Sequence, residues 1–267
     1  MASSIPSPNA DECIRSFLDR TACLGGQLKA GDAAGDMLRK VLNALTPEEQ
    51  NALIAKHSYL GYRRFVNHGF AGVPLTKHSD LLRPNCLLRS PISRDRICPA
   101  CQRHDREANG IPHVRRCHQL VGVETCMEHS EPLLERSRSV GQTLASSGTE
   151  GLSEVERTQS LCGSENAVIR RFTRLSVLSL NSAAPRSPAF MAKALAQRSR
   201  TQGVRVTIEG HGHRLSDLAR DSLPEHWLAA HFPAIHRAKH DSHSPALDDV
   251  LRARHVAELT MTDIEQS

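Results

Sequence analysis

The hydrophobic pattern of the first 80 residues is mainly helical. Ile14, Phe17, Leu18 and Thr21 recur at three- and four-residue steps between Asp11 and Leu24, which sets them on one face of a helix. Asp11 is its expected N-cap and Gly25-Gly26 its stop. Met37, Leu38, Val41, Leu42 and Leu45 repeat the pattern from Asp36 to Leu45. Thr46-Pro47-Glu48-Glu49 then offers a capping box with proline at the first helical position, so a third helix should start there. It should carry Leu53 and Ile54 inward and end near His57. Residues 137–164 are rich in Ser, Thr, Gly and Glu and read as a loop or degraded element. From Glu165 the helical period returns, with Val168, Ile169, Phe172, Leu175 and Leu178 as one face. Further helices are expected at Phe190–Arg198, Leu215–Leu218, His226–Ala230 and Ala246–Leu259. Val204, Val206 and Ile208 alternate as a short strand or turn. No repeat of solenoid length is present.

Composition narrows the class. A chain of 267 residues forms one or two compact domains. Aromatics at 3% argue against a large aromatic-rich sandwich or barrel. No stretch approaches the roughly 20 apolar residues of a membrane span. The opening residues show no basic start followed by an apolar run, so no secretory leader is expected. The expectation is a cytoplasmic protein, in which eight cysteines suggest metal before disulfides. Net charge is only +5, but the positive charge is concentrated. Arg83, Arg89, Arg94, Arg96, Arg103, Arg106, Arg115 and Arg116 face three acids, Asp95, Asp105 and Glu107, within 83–116. A second run, 165–205, holds eight Lys/Arg and one acid. Such segments suit nucleic acid, and they equally suit a solvated face.

The sharpest chemical signal is Cys98-Pro99-Ala100-Cys101 followed, after 24 residues, by Cys126-Met127-Glu128-His129. Two ligands three apart fit one tight turn, and two such knuckles complete a tetrahedral zinc site of three thiolates and one imidazole. A site closed by four protein ligands is structural and leaves no position for catalytic water. One structural Zn²⁺ held by Cys98, Cys101, Cys126 and His129 is therefore expected. Cys13, Cys23 and the adjacent pair Cys117-His118 read as packing residues. His104 and His113 read as exposed or phosphate-facing, and His211-Gly212-His213 as a turn. The C-terminal histidines (His226, His231, His236, His240, His243, His255) read as surface. No Walker-type glycine loop is present, and no residue is assigned a catalytic role: the chain reads as a non-enzyme.

The segment from Arg96-Ile97-Cys98-Pro99-Ala100-Cys101 through His118-Gln119-Leu120-Val121-Gly122-Val123 to Cys126-Met127-Glu128-His129 resembles the TniQ family, relatives of the transposon target-selection protein TnsD. Ile5-Pro6-Ser7-Pro8-Asn9-Ala10-Asp11-Glu12 and Ser16-Phe17-Leu18 are similar to that family's opening. The sequence departs from the pattern at His113-Val114, Val121 and Met127. A second ribbon of the family is reduced here to Cys162, with Ser137, Val140 and Gln159 where its other cysteines would stand, so no second zinc is expected. The resemblance implies a mainly α fold with a small zinc-ribbon β module. Its parts would be an N-terminal helical region (1–82), the ribbon (83–136), a degenerate second ribbon or linker (137–164) and a helical, helix-turn-helix-like C-terminal region (165–267).

It also implies recognition rather than catalysis. Such proteins bind double-stranded DNA at a target site, or an RNA-guided complex that does, and recruit an AAA+ ATPase regulator that directs a transposase. On that reading Arg94, Arg96, Arg103, Arg115 and Arg116 would meet phosphate, and Arg170, Arg171 and Arg174 would lie on a reading helix, in a cytoplasmic, nucleoid-associated protein with no membrane partner. A homodimer is left open. The alternative is a protein–protein adaptor that docks on a guide complex or the ATPase without touching DNA.

Overall fold

Helix α1 (Ile14–Cys23) buries the face its periodicity predicts, with Ile14, Phe17, Leu18 and Thr21 inside. Its N-cap is Cys13, not Asp11. Asp11 sits at φ 55°, a left-handed conformation that Asp tolerates better than most residues, and its carboxylate serves another element. Helix α2 (Ala34–Ala44) buries Met37, Leu38 and Val41. Only Leu45 and Thr46 separate it from α3 (Pro47–His57). There the capping box forms as the sequence requires. Glu49 N donates to Thr46 Oγ1 at 3.3 Å, and Thr46 N donates to Glu49 Oε2 at 2.8 Å. Leu53, Ile54 and Leu87, the last from the short helix α4 (Pro84–Leu88), close one apolar core with α1 and α2.

The structure is a computed structural model that describes residues 5–24, 33–59, 84–136, 167–180 and 223–233. Several expected features lie outside these residues: the Gly25-Gly26 stop, the degenerate ribbon with Cys162, the elements at 190–198, 204–208, 215–218 and 246–259, His211, His213 and the histidines from 236 onward.

Strand β1 (Asp95–Ile97) precedes α5 (Pro99–Asn109) and pairs antiparallel with β2 (Leu134–Arg136), Arg96 opposite Glu135 and Ile97 opposite Leu134. Helix α5 ends on Gly110 at φ 74°, the left-handed C-cap for which glycine is suited. A 3₁₀ turn, Arg116–Gln119, follows. The described residues are thus mainly helical with one small two-stranded ribbon.

The chain divides into two compact units, Met1–Leu60 with Val73–Ser160, and Gly61–Gly72 with Leu161–Ser267. In the first, the N-terminal helices and the ribbon are tied by backbone. Cys13 N donates to Val114 O (2.9 Å), Arg116 N donates to Asp11 O (2.8 Å), and Glu12 bridges to Arg115. The Asp11 carboxylate accepts from Cys117 N and Arg116 Nε, so it caps the 3₁₀ turn instead of α1.

The second unit contributes α6 (Ala167–Leu180) and α7 (Glu225–His231). Phe172 meets Trp227 edge-on at 4.9 Å and Phe232 at 5.7 Å. The buried face of α6 includes Ile169, Phe172, Thr173, Ser176 and Leu180, whereas Leu178, expected inside, is exposed. Thr173 and Ser176 take inward positions on this face, which turns away from Leu178.

Cys13 has a measurable signature. Burial, with smaller contributions from Asp95 and Glu12, pushes its thiol from 9.0 up to about 12. The unfolded chain ionises there near 9 while the folded chain does not. This thiol's contribution is therefore complete below about pH 9 and is lost as pH rises toward about 12, at roughly 1.4 kcal/mol per pH unit. Urea unfolding at about pH 8 and about pH 10.5 should show that loss, and Cys13→Ala should flatten the slope. An unchanged slope in the variant would refute the assignment.

Candidate metal centre

The ribbon brings the two knuckles together. Cys98 directly follows β1 and is the N-cap of α5, with Pro99 at the first helical position and Gln102 N donating to Cys98 O at 3.0 Å. Cys101 lies in the first turn of the same helix. The second knuckle is a tight loop between Glu124 and Leu133. Cys126 N donates to Glu131 O, and Ser130 N to Cys126 O, both at 2.8 Å, with Ser130 at φ 55°. Pairing of β1 with β2 sets this loop beside Cys98.

The three sulfurs and the His129 imidazole lie within 4.8 Å of one another. His129 Nδ1 is 3.6 Å from Cys98 Sγ, 3.3 Å from Cys101 Sγ and 3.6 Å from Cys126 Sγ. Cys101 and Cys126 sulfurs are 3.6 Å apart. The cysteines are buried while His129 is exposed. Nδ1 is therefore the ring nitrogen presented to the sulfurs. Four soft or borderline donors converging on one point can hold one metal ion.

Cys101 and Cys126 are close enough for their sulfurs to share a hydrogen bond. The hydrogen bond between them pulls Cys126 far down and pushes Cys101 far up, and burial raises Cys98. Metal binding must displace the remaining thiol protons. Two carboxylates flank the sulfurs: Glu131 Oε2 is 3.8 Å from Cys98 Sγ, and Glu128 Oε2 is 3.7 Å from Cys101 Sγ.

The other cysteines and histidines sort by burial. Cys117 is half-buried and Cys23 is exposed, so Cys23 does not pack as expected. Burial and the Asp11 carboxylate raise the Cys117 thiol. His118 is buried, and so is His113, which the sequence reading placed at the surface. His113 Nε2 lies 3.2 Å from Ala10 O, and burial lowers its pKa.

The eight arginines expected at DNA, five at phosphate and three on a reading helix, occupy unlike places. Arg96 is buried, donating to Val123 O (2.7 Å) and Glu135 Oε1 (3.1 Å). Arg116 is buried and donates to Asp11, Ala55 O and Ser58 O. Arg115 holds Asp105 and Glu128. Arg94, 3.9 Å from Glu135, is exposed, as are Arg103, Arg170 and Arg174, while Arg171 is half-buried. Gln119 supports the site although its residue type gives no sign of it. Buried, it accepts from Arg96 N (2.9 Å) and donates to Arg96 O (2.6 Å), which fixes the strand that leads to Cys98. Its only sequence signal is its place in His118-Gln119-Leu120, ahead of the second knuckle.

The model of the TniQ family matches residues 4–133, which include all four cluster residues. Over these residues the chain belongs to the TniQ family. The matched segment spans the N-terminal helices, α5 and the second knuckle, and ends one residue before β2. TniQ proteins act in transposition as adaptors. No curated protein matches this TniQ chain. No helix among its described residues is long and apolar enough to cross a membrane.

Proposed function

We propose that this TniQ chain is a non-enzymatic target-selection adaptor of transposition that holds one structural zinc and binds duplex DNA. At the target it would recruit an AAA+ regulator and, through it, a transposase. The observation that carries the reading is the family match enclosing a converged Cys₃His cluster. A tetrahedral zinc with bonds of about 2.3 Å to sulfur and about 2.0–2.1 Å to nitrogen has S···S edges near 3.8 Å and S···N edges near 3.6 Å. The separations of 3.6 Å and of 3.3–3.6 Å are close to those edges. Cys98, Cys101, Cys126 and His129 would hold the ion, whose contribution is to fold the ribbon.

DNA contact would fall to the exposed arginines, Arg94 and Arg103 in the first unit and Arg170 and Arg174 in the second. Arg96 and Arg116 would have to break buried hydrogen bonds to reach phosphate. Duplex affinity should therefore rise steeply at low salt. Arg103→Ala or Arg94→Ala should each lower affinity across unrelated sequences and reduce the log–log salt slope by about 1. Fluorescence anisotropy with a labelled duplex reads both quantities. Undetectable binding at low salt would remove the DNA reading. It would favour the second one, an adaptor that docks on the ATPase or a guide complex without touching DNA. That second reading draws support from the internal use of Arg96, Arg115 and Arg116 and from the carboxylates of Glu128 and Glu131 beside the metal centre.

A further inference from the structure

Arg115 sits in the short backbone bridge opposite Glu12, and its side chain is 12% exposed. Its guanidinium makes two separate attachments. Nη2 donates to Asp105 Oδ1 at 2.9 Å. Nη1 donates to both oxygens of Glu128, at 2.8 and 2.9 Å. Asp105 lies one helical turn beyond Cys101 on α5. Glu128 lies in the loop between Cys126 and His129. A single planar group thus joins the helix that carries the first knuckle to the turn that carries the second.

The attachment is buried on its far side. Asp105 is 2% exposed, and its second oxygen is 3.1 Å from His113 Nδ1. The main chain of Arg115 is also held, because its carbonyl accepts from Gln119 Nε2 at 3.1 Å. Charge points the same way. A divalent ion with three thiolates carries a net negative charge, and Asp105 and Glu128 add two more negative groups nearby. Arg115 is the cation that touches both. A lysine could supply the charge but not the planar fork that reaches two carboxylates at once.

We infer that Arg115 is a positioning residue of the metal centre: it spans Asp105 and Glu128 to hold Cys101 in register with the Cys126–His129 turn. The sequence reading sent this arginine to phosphate, and the geometry gives it a different task. The inference rests on the proposal that the cluster holds zinc. Outer partners of this kind fix ligand orientation, and their loss costs on the order of 10–100-fold in metal affinity.

The test uses the full chain loaded with one zinc. Transfer of zinc to an excess of the chromogenic chelator 4-(2-pyridylazo)resorcinol gives the release rate, and the visible absorption of the cobalt-substituted protein reports ligand geometry. Arg115→Met should speed release by about 10–100-fold and shift the cobalt bands. Glu128→Ala, a change on an exposed side chain, should do the same in part, and it serves if Arg115→Met does not fold. The double variant should release zinc no faster than the quicker single variant, since one link is broken in each. Arg115→Lys should remain faster than the native protein. Native release rates and cobalt spectra in Arg115→Met or Glu128→Ala would overturn the inference. So would an Arg115→Met protein whose only defect is weaker duplex binding, which would return Arg115 to phosphate. Failure of the native chain to hold stoichiometric zinc would be seen before any variant is made, and would overturn the metal reading itself.

Discussion

The Cys98→Ser variant is expected to lose the proposed zinc and to loosen the N-terminal helices together with the ribbon. Structural zinc contributes on the order of 10 kcal/mol of apparent binding energy to a small module, and three ligands do not retain it at comparable affinity. Ribbon residues between about Arg94 and Leu134 should lose protection first, because β1 and β2 pair over only three residues each. The effect should then pass to α1 and α3. Val114 O and Arg116 N hold Cys13 and Asp11 through the backbone, while Arg116 Nη1 donates to Ala55 O and to Ser58 O beyond the end of α3. Without the ribbon these partners have no fixed position. Hydrogen exchange before and after chelation, with metal analysis of Cys98→Ser and Cys126→Ser, measures both parts. Stoichiometric zinc in the double variant would exclude this site. Unchanged protection across 14–23 and 47–57 after metal loss would show that the helices do not depend on it.

The second large effect is expected at Glu12. This carboxylate is completely buried and accepts four hydrogen bonds: Arg20 Nε at 3.0 Å, Arg20 Nη2 at 2.8 Å, Asn9 N at 2.9 Å and Ser16 Oγ at 3.4 Å. Arg20 also reaches Ser7 O at 2.9 Å. The backbone carbonyl of Glu12 accepts from His57 Nδ1 at 2.8 Å, and burial of that ring lowers its pKa. Glu12→Gln keeps the shape and removes the charge, leaving the Arg20 guanidinium buried without its counter-ion. Breaking one side of such a pair costs about 3–5 kcal/mol, whereas replacing both partners by apolar residues of similar volume is often close to neutral. Urea melts should show that loss for Glu12→Gln and for Arg20→Met, with much of it recovered in Glu12→Met/Arg20→Met. A single-variant cost under about 1 kcal/mol, the range of exposed pairs, would mean that the pair is hydrated in solution.

Features governed by local chemistry were legible in the sequence. Thr46-Pro47-Glu48-Glu49 formed its capping box because every partner lies within three residues. The knuckles were legible because spacing of three within each pair is itself the geometric requirement. Charge was not. Arginine density between 83 and 116 gave no hint that Arg96 is committed to Glu135, 39 residues away, or Arg116 to Asp11, 105 residues away. Asp11 illustrates the same limit. It precedes an amphipathic run as an N-cap does, yet its backbone turns left-handed and its carboxylate caps a turn far along the chain. The inward face of α6 was misplaced at Leu178 because Thr173 and Ser176 are buried on it, and a hydrophobicity pattern does not select polar residues for an inward face.

The backbone bridge at Glu12 and Arg115 also sets an order in time. As the chain leaves the ribosome, α1 emerges with its partner segment still unmade, and Cys13 N and Asp11 O stay hydrated until Val114 and Arg116 follow. Closing a loop of this length carries an entropic cost that grows only slowly with length, but it cannot begin before its second end exists. The N-terminal helices should therefore complete their packing after translation of the second knuckle. A chain arrested before Val114 should be more open to proteases at its N-terminal helices than one that has passed Arg116.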